Sequence, residues 1–502
     1  MPLWTADNRI PLFVFGLTTG VALSAAVQYL FTSLGPERSP NSILDDGQPH
    51  PLSTRRQVET AIQRLEREFT ITTSMLHNLV KAFMRDMERG LKRDNAVLKM
   101  IPSYVVRRPQ GDETGTYLAL DLGGSNFRVC EVTLSGKGQV RTRQKKFVVS
   151  DDLKTGQGTD LFDFIADCVS LSMDEFNLDK KAGLKMGFTF SFPVDQHSIN
   201  KGVLISWTKG FTAQGVVGED AVQLLQDAFH RKGLVITITA LVNDTVGTLV
   251  SQAYLDTSTY LGVILGTGSN AAYVERVENI PKWKGGPTST GQMIINMEWG
   301  AWGQDGIILP TTEYDLRVDR ASPNPRQQTY EKMISGLYLG EITRQIMVDL
   351  ISTGELFSGR RHAALEVRGS FDTAQMSRIE RDHSMELTDT RTILEDLYGV
   401  KKTTLTDRRL VKRICELIGT RAARLAAVGI ASIVTKINKL DGCTVAVDGS
   451  VFEHYPHWKD RMTDALRELL GINAEHILLV QARDGSGTGA ALIAALAETG
   501  SS

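Results

Sequence analysis

The sequence predicts an α/β protein built in two related halves, and three observations carry that expectation. The chain has 502 residues, and at ~100–200 residues per domain two large domains or three small ones are expected. Hydrophobic residues make up 42 % and charged residues 23 %, a balance that excludes a mainly disordered or fibrous chain. Two stretches then resemble each other: TYLALDLGGSNFRVCEVTL, from Thr116 to Leu134, and TYLGVILGTGSNAAYVERV, from Thr259 to Val277. Each is an apolar β-rich run, a glycine turn ending Gly-Ser-Asn, and a second β-rich run, which is the pattern of a hairpin.

From the N-terminus, no charged residue stands between Arg9 and Glu37, and the run Leu12 to Phe31 is almost wholly apolar. Twenty helical residues span roughly 30 Å, the thickness of a bilayer's hydrocarbon core. Pro11 suits the first turn of such a helix, and Trp4 and Tyr29 suit its two interfaces. Residues 1–34 are therefore expected to form a transmembrane anchor. A signal peptide, read from the small-residue tract Ala22 to Ala26, and a buried core helix are the alternatives. The run is longer than a secretory apolar region and no Lys/Arg cluster precedes it. Arg38, Arg55 and Arg56 come after it, which favours a cytosolic body. Residues 35–52, rich in Pro, Ser, Asp and Gly, read as a linker. From Ser53 one long amphipathic packing helix is expected, because Val58, Ile62, Leu65, Phe69, Leu76, Leu79, Phe83 and Met87 recur at helical spacing.

Charge and cysteine usage narrow the function classes. Lys plus Arg number 56 and Asp plus Glu 58, for a net charge of −2. The basic surplus of a general nucleic-acid binder is missing, and no nucleic-acid partner is expected. Cys130, Cys168, Cys415 and Cys443 are scattered without CxxC spacing, which disfavours a zinc site or a disulfide framework and suits a reducing compartment.

The hairpins carry the first functional signal. Glycines let a backbone approach a phosphate closely, and successive N–H groups form an anion-holding concavity. Two such turns, with Gly124 and Gly268 as matched positions, suggest duplicated halves facing one nucleotide. Neither GxxxxGK[ST] nor a strand–GxGxxG–helix occurs, so P-loop and Rossmann sites are disfavoured. Between the hairpins, FTFSFPVDQ places Ser191 after an apolar run, and SWTKGF sets Thr208 and Lys209 between aromatics. In ITALVNDTVGTLV, Asn243 and Asp244 interrupt a strand-like run and Thr245 is placed to cap the next segment. A carboxylate ending a buried strand costs free energy unless something uses it. Asp244 is either a turn or cap residue or a working acid–base group, and its position between two phosphate-type hairpins favours the second.

In order, DLGGSNFRV, SFPVDQ, WTKGF, NDTVGTL, GTGSNAAYVE, INMEWGAWG, NPRQQTYEKMISGLYLGE, VDGSVFEHYP and DGSGTGAALIAA resemble the hexokinase–glucokinase family, its fungal members most. The likeness runs from about Ser53 to Ala497. It implies an actin-like (ribonuclease H-like) two-domain sugar kinase fold with a central cleft, here preceded by the N-terminal helix. The small domain is expected over 111–242 and 483–499, and the large domain over 53–110 and 243–482.

The resemblance also implies roles, and the residues suit them. Phosphoryl transfer needs an oriented hydroxyl and charge stabilisation rather than covalent work. By resemblance Asp244 is the base for the sugar 6-hydroxyl and Lys209 meets the sugar and the transferring phosphoryl group. Ser191, Thr208, Asn243 and Asn270 supply donors and acceptors, and Glu298 and Glu331 accept from hydroxyl pairs. Asp121, Gly123, Gly124, Ser125 and Asn126 match the first phosphate segment, with Asp121 holding Mg²⁺ through water. Gly266, Thr267 and Gly268 match the second, and Thr420, Gly449 and Ser450 the adenosine side. Three positions depart from the family pattern: Ser125 replaces Thr, Trp302 replaces Phe, and Arg326 replaces the Gly of NPGQQ. If that Gly adopts positive φ, Arg there costs roughly 1 kcal/mol and shifts the loop before Glu331.

The expected activity is ATP-dependent phosphorylation of a hexose, best D-glucose, at the 6-hydroxyl. A hexokinase-like sensor that binds sugar, turns over slowly and acts through regulatory protein partners is the alternative. An actin- or Hsp70-like ATPase would share the hairpins without needing WTKGF, EWG and YEK. The anchor is expected in the mitochondrial outer membrane, with the endoplasmic reticulum second and the kinase body in the cytosol.

Overall fold

The computed structural model describes residues 55–123, 126–207, 209–482 and 484–499. The expected anchor over 1–34 and linker over 35–52, together with Gly124, Ser125 and Thr208, lie outside the described residues.

The helix expected from Ser53 is two helices, Arg55–Phe69 and Thr73–Lys92. The break falls in the β-branched run Thr70-Ile71-Thr72. Thr72 turns to extended backbone (φ −77, ψ 159) and its hydroxyl accepts from the Met75 amide, a cap that competes with continuing the helix. The apolar stripe survives the break. Leu65, Phe69, Ile71, Leu76, Leu79, Phe83 and Met87 are buried in one core.

In chain order the strands are β1 (Ile101–Pro102), β2 (Thr114–Leu122), β3 (Asn126–Ser135), β4 (Val140–Val148) and β5 (Leu184–Phe190). They continue with β6 (Val194–Ser198), β7 (Lys201–Leu204), β8 (Ile236–Val242), β9 (Thr259–Leu265) and β10 (Ser269–Arg276). The last are β11 (Gln292–Asn296), β12 (Cys443–Asp448) and β13 (Ile477–Gln481). One sheet has the order β4-β3-β2-β5-β8 and the other β1-β11-β10-β9-β12-β13. Setting β1 aside, the two are the same construction. In each, three antiparallel strands that include the glycine hairpin (β2–β3, β9–β10) are extended by two parallel ones. The short sequence repeat therefore marks a duplication of the whole sheet.

Side-chain alternation along β2 explains why this strand is central. Leu118, Leu120 and Leu122 enter one core with the helix Gly158–Phe176, while Tyr117 and Ala119 enter another with Ala490–Leu496. In both sheets the last parallel strand feeds a helix, Asp244–Leu255 after β8 and Gly485–Thr499 after β13, and each helix crosses to the other sheet. The crossing is tight. A Cβ on Gly489 would overlap the Gly247 backbone, and one on Gly262 would overlap the Thr245 carbonyl and the Leu249 amide. These helices and residues of both sheets, including Ala240, Ala272 and Val274, share one buried cluster.

Leu405–Lys436 is the one described helix long and apolar enough to cross a membrane, and it is buried within the protein. Trp299, Trp302 and Tyr330 are buried in that same core. The four cysteines are buried and free.

Candidate active site

Most of the described candidate residues lie where a strand delivers its carboxyl end, the edge at which ligands bind in open α/β sheets. Asp121 is at the end of β2, Ser191 follows β5, and Asn243 and Asp244 follow β8. Gly266 follows β9, Glu298 follows β11 and Gly449 follows β12.

At the end of β8, Asn243 rather than Thr245 is the helix N-cap, with its side chain accepting from the Thr245 amide at 3.0 Å. Thr245 lies inside the helix and is wholly buried. The reason is that Asn243 keeps extended backbone (φ −81, ψ 146), the geometry of a cap. Asp244 is the first helical residue, and its Oδ1 also accepts from the Thr245 amide at 2.9 Å. Removal from water pushes the Asp244 carboxyl above its ordinary value, Lys209 opposes the shift, and Asp121 adds to it.

Lys209 adopts a left-handed backbone (φ 58) and its Nζ donates to the Ser191 carbonyl at 2.7 Å, lying 5.4 Å from the centre of the Phe192 ring. Lys209 is thereby tied to the segment that follows β5. The same ammonium acts electrostatically on Asp244, Glu298 and Glu331, so these four charged groups converge although two loops and the first turns of two helices supply them.

Glu298, Asn270 and Asn296 form a closed polar set. Asn270 donates to Asn296 Oδ1 at 2.8 Å and to Glu298 Oε1 at 3.1 Å, and Asn296 Nδ2 donates to the same Oε1 at 2.9 Å. Asn270 Oδ1 accepts from the amides of Ala271 and Trp299. Only Glu298 Oε1 is committed to this set, leaving Oε2 to accept from a ligand. Glu298 holds φ 52, a left-handed turn that brings its side chain back toward β10. On the helix Thr329–Ile334, Glu331 Oε2 accepts from the Ser269 amide at 2.9 Å. Desolvation raises the carboxyl pKa of both glutamates, and the mutual repulsion of Glu298 and Glu331 adds to it at Glu331. A Cβ on Gly268 would lie 2.8 Å from Glu331 Oε2, so the second glycine turn serves the glutamate as well as any phosphate.

The nucleotide side is a cradle of backbone. Gly449, at φ 118, passes so close to the second turn that a Cβ would stand 2.5 Å from the Leu265 carbonyl carbon and 2.7 Å from the Gly266 nitrogen. The helix Gly336–Ser352 begins against this turn, with the Gly336 and Leu337 amides donating to the Gly266 and Thr267 carbonyls at 2.8 and 3.1 Å. This close approach requires glycine, since any side chain at Gly449 would overlap the backbone of the second turn. Ser450 opens the helix Ser450–His454 beside the cradle. Thr420 stands within Leu405–Lys436, half-buried, and among the described residues no hydrogen bond joins it to Gly449 or Ser450.

On the first hairpin, Gly123 is part-buried and Asn126, which opens β3, is exposed. Asp121 Oδ2 accepts from Arg128 at 2.6 Å and from the Ser486 hydroxyl at 2.7 Å. The same guanidinium donates to Asp484 at 2.7 Å, and Thr189 donates to the Ser486 carbonyl at 2.9 Å. Among the described residues no group of three His, Cys, Asp or Glu side chains is placed to hold a metal directly.

Arg326 has φ 62, the conformation in which the departure from Gly carries a cost. With Arg326 in place, Glu331 accepts from the Ser269 amide. Trp302 packs on Phe83 and Tyr330, and its indole donates to Asp86 at 3.0 Å.

Sequence reasoning missed Asn296, Arg128, Asp484, Ser486 and Gly336. Asn296 was within reach, since it stands two residues before Glu298. Arg128 was too, as the cross-strand partner of Asp121 in the hairpin. The other three are brought in by chain-distant packing.

Two family models described as Hexokinase match the chain, over residues 61–254 and 260–496. Hexokinase-1 of Schizosaccharomyces pombe is 42 % identical over 452 residues, covering 89 % of this chain and 93 % of that protein. Hexokinase-1 of Saccharomyces cerevisiae is 42 % identical over 453 residues, covering 88 % and 93 %. Among solved structures, a hexokinase from Schistosoma mansoni complexed with glucose superposes with a TM-score of 0.81 at 38 % identity, covering 88 % of this chain and 99 % of that one.

Proposed function

The chain belongs to the hexokinase family, and from that premise we propose that it transfers the terminal phosphoryl group of ATP to the 6-hydroxyl of a hexose. D-Glucose is the foremost substrate and the reaction is the first step of glycolysis. The glucose-bound relative and the level of identity support this reading. The observation that carries it is the convergence of Asp244, Lys209, Glu298 and Glu331 beside a side-chain-free backbone cradle.

Asp244 accepts the proton of the 6-hydroxyl as its oxygen attacks phosphorus. A carboxylate pushed above its ordinary pKa takes that proton more completely. Lys209 supplies positive charge where the transferring group develops negative charge. Glu298 and Glu331 accept from sugar hydroxyls. Asn270 and Asn296 fix Glu298 by donation, and the Ser269 amide fixes Glu331. Ser191, Thr208 and Asn243 complete the hydroxyl partners.

The phosphates lie between Gly123–Asn126 and Gly266–Gly268, with Gly449, Ser450 and Thr420 toward the adenosine. Mg²⁺ carried on the nucleotide would neutralise phosphate charge when bound, and Asp121 is the residue that would hold it through water. Purified protein in a coupled glucose-6-phosphate assay tests the assignment. ATP- and glucose-dependent product is the expected result; sugar binding without product would establish the sensor reading instead.

We also propose that residues 1–34 hold the kinase at a membrane, the mitochondrial outer membrane first and the endoplasmic reticulum second, with the body in the cytosol. The uncharged run Leu12–Phe31 and the arginines after it support this. A C-terminal fluorescent fusion should resist carbonate extraction and be digested by protease added to intact organelles. Release by carbonate, or protection from protease, would overturn the assignment.

A further inference from the structure

We propose that Lys332 and Asp319 form a buried clamp that positions Glu331 for the sugar, which makes both of them positioning residues although neither touches substrate. The inference rests on the reading of Glu331 as a sugar acceptor.

Lys332 comes directly after Glu331 on the helix Thr329–Ile334, and one residue on a helix is a turn of about 100°. While Glu331 faces Ser269, Lys332 faces the flank behind. It is 4 % exposed, and its ammonium donates to Asp319 Oδ1 at 2.7 Å, Ser322 Oγ at 2.8 Å and the Asn324 carbonyl at 2.8 Å. Three N–H groups meet three acceptors, so none of the buried charge's protons is left unpaired. Asp319 is used a second time, since both its oxygens accept from the Arg326 main-chain N–H, at 3.1 and 3.0 Å. One carboxylate thus joins the end of the helix Glu313–Ala321, the loop 322–328 and the helix that carries Glu331.

That loop needs holding. Arg326 and Gln328 stand at φ 62 and 54, conformations that persist only where surroundings over-determine them. Gln328, just before the helix, packs onto Gly300, where a Cβ would overlap Gln328 Oε1 and stand 3.0 Å from Glu331 Cβ. Gly300 is two residues from Glu298, so the loop sets the spacing of the two glutamates. Behind it is a cavity of about 410 Å³ lined in part by Asp319, Arg326, Thr329, Lys332 and Met333. A loop freed from the clamp has room to sink into it, carrying Glu331 away from Glu298.

Steady-state kinetics and thermal unfolding of the full chain test the clamp, using Lys332→Met, the isosteric Asp319→Asn, the double variant, and Glu331→Gln as reference. Each single clamp variant should raise the glucose KM roughly tenfold or more, because misplacing a binding group by ~1 Å costs up to ~10²-fold. The ATP KM should stay put. The double variant buries no unpaired charge, so its Tm should recover relative to Lys332→Met while its glucose KM stays raised. A purely structural pair would restore both together, and that result overturns the proposal. So does an unmoved glucose KM in both single variants measured below their Tm. If Glu331→Gln leaves the glucose KM alone while the clamp variants raise it, the acceptor reading fails and the loop is held for another group.

Discussion

Asp244→Asn separates chemistry from architecture at one position. The substitution is isosteric, and Asn Oδ1 keeps the bond from the Thr245 amide that Asp244 Oδ1 makes at 2.9 Å. What disappears is the capacity to take a proton. General-base assistance is worth ~10²–10⁴ in rate, or about 3–5 kcal/mol at 1.36 kcal/mol per decade, so kcat in the coupled assay should fall by at least ~100-fold. Stability should move the other way. The folded-state pKa of Asp244 is raised above its unfolded value, mainly by desolvation, so the native state binds this proton more tightly than the unfolded chain. Below the ordinary carboxylate range, both states are protonated and the group costs nothing. As pH rises toward and through the folded pKa, the unfolded chain sheds the proton more readily and native stability is lost. At neutral pH the Asn variant should therefore melt at or above the wild-type Tm, and the gap should close on acidification. The acid limb of the wild-type kcat/KM profile, which reports the free enzyme, should lie above the ordinary aspartate range for the same reason. A near-normal kcat would remove Asp244 from the mechanism, and a lost rate accompanied by a lowered Tm would make its role structural.

The geometry sets three further outcomes. Gly449→Ala places a Cβ against the Leu265 and Gly266 backbone at a φ of 118, at a cost of ~1–3 kcal/mol; the ATP KM and the Tm should suffer while glucose binding, measured by calorimetry, persists. Arg326→Gly relieves a left-handed residue and should stabilise the chain by up to about 1 kcal/mol in urea unfolding, with the glucose KM unchanged because Glu331 is already seated on Ser269. The proposed sugar partners come from both halves of the chain, Ser191 and Lys209 before the helix Asp244–Leu255 and Glu298 and Glu331 after it, so saturating glucose should lower the radius of gyration in small-angle scattering. An unchanged radius at verified saturation would count against closure.

The hairpins were legible in the sequence because strand alternation and glycine turns are written by near neighbours. Residues i and i+2 share a face whatever the rest of the chain does, and a Gly-rich turn needs no distant partner. Asp244 and Lys209 stood out among apolar and aromatic neighbours, while Glu298 and Glu331 were picked out by the family pattern alone. Polar groups embedded in apolar runs are costly, and their order along the chain matches a family pattern. The break at Thr72 was harder to read, since the apolar stripe continues across it and a single cap hydroxyl decides the outcome.

Tertiary structure alone decided the rest. Arg128, Asp484 and Ser486 meet because the final helix crosses from β13 onto the other sheet, an arrangement set by glycine-to-backbone packing across hundreds of residues. The Lys332 ammonium, which by sequence alone looks like a solvated helix charge, is buried because Asp319, Ser322 and Asn324 enclose it. Local sterics dictate which elements form. Which of them touch is settled by burial and by pairing every desolvated polar group, and those are properties of the assembled chain.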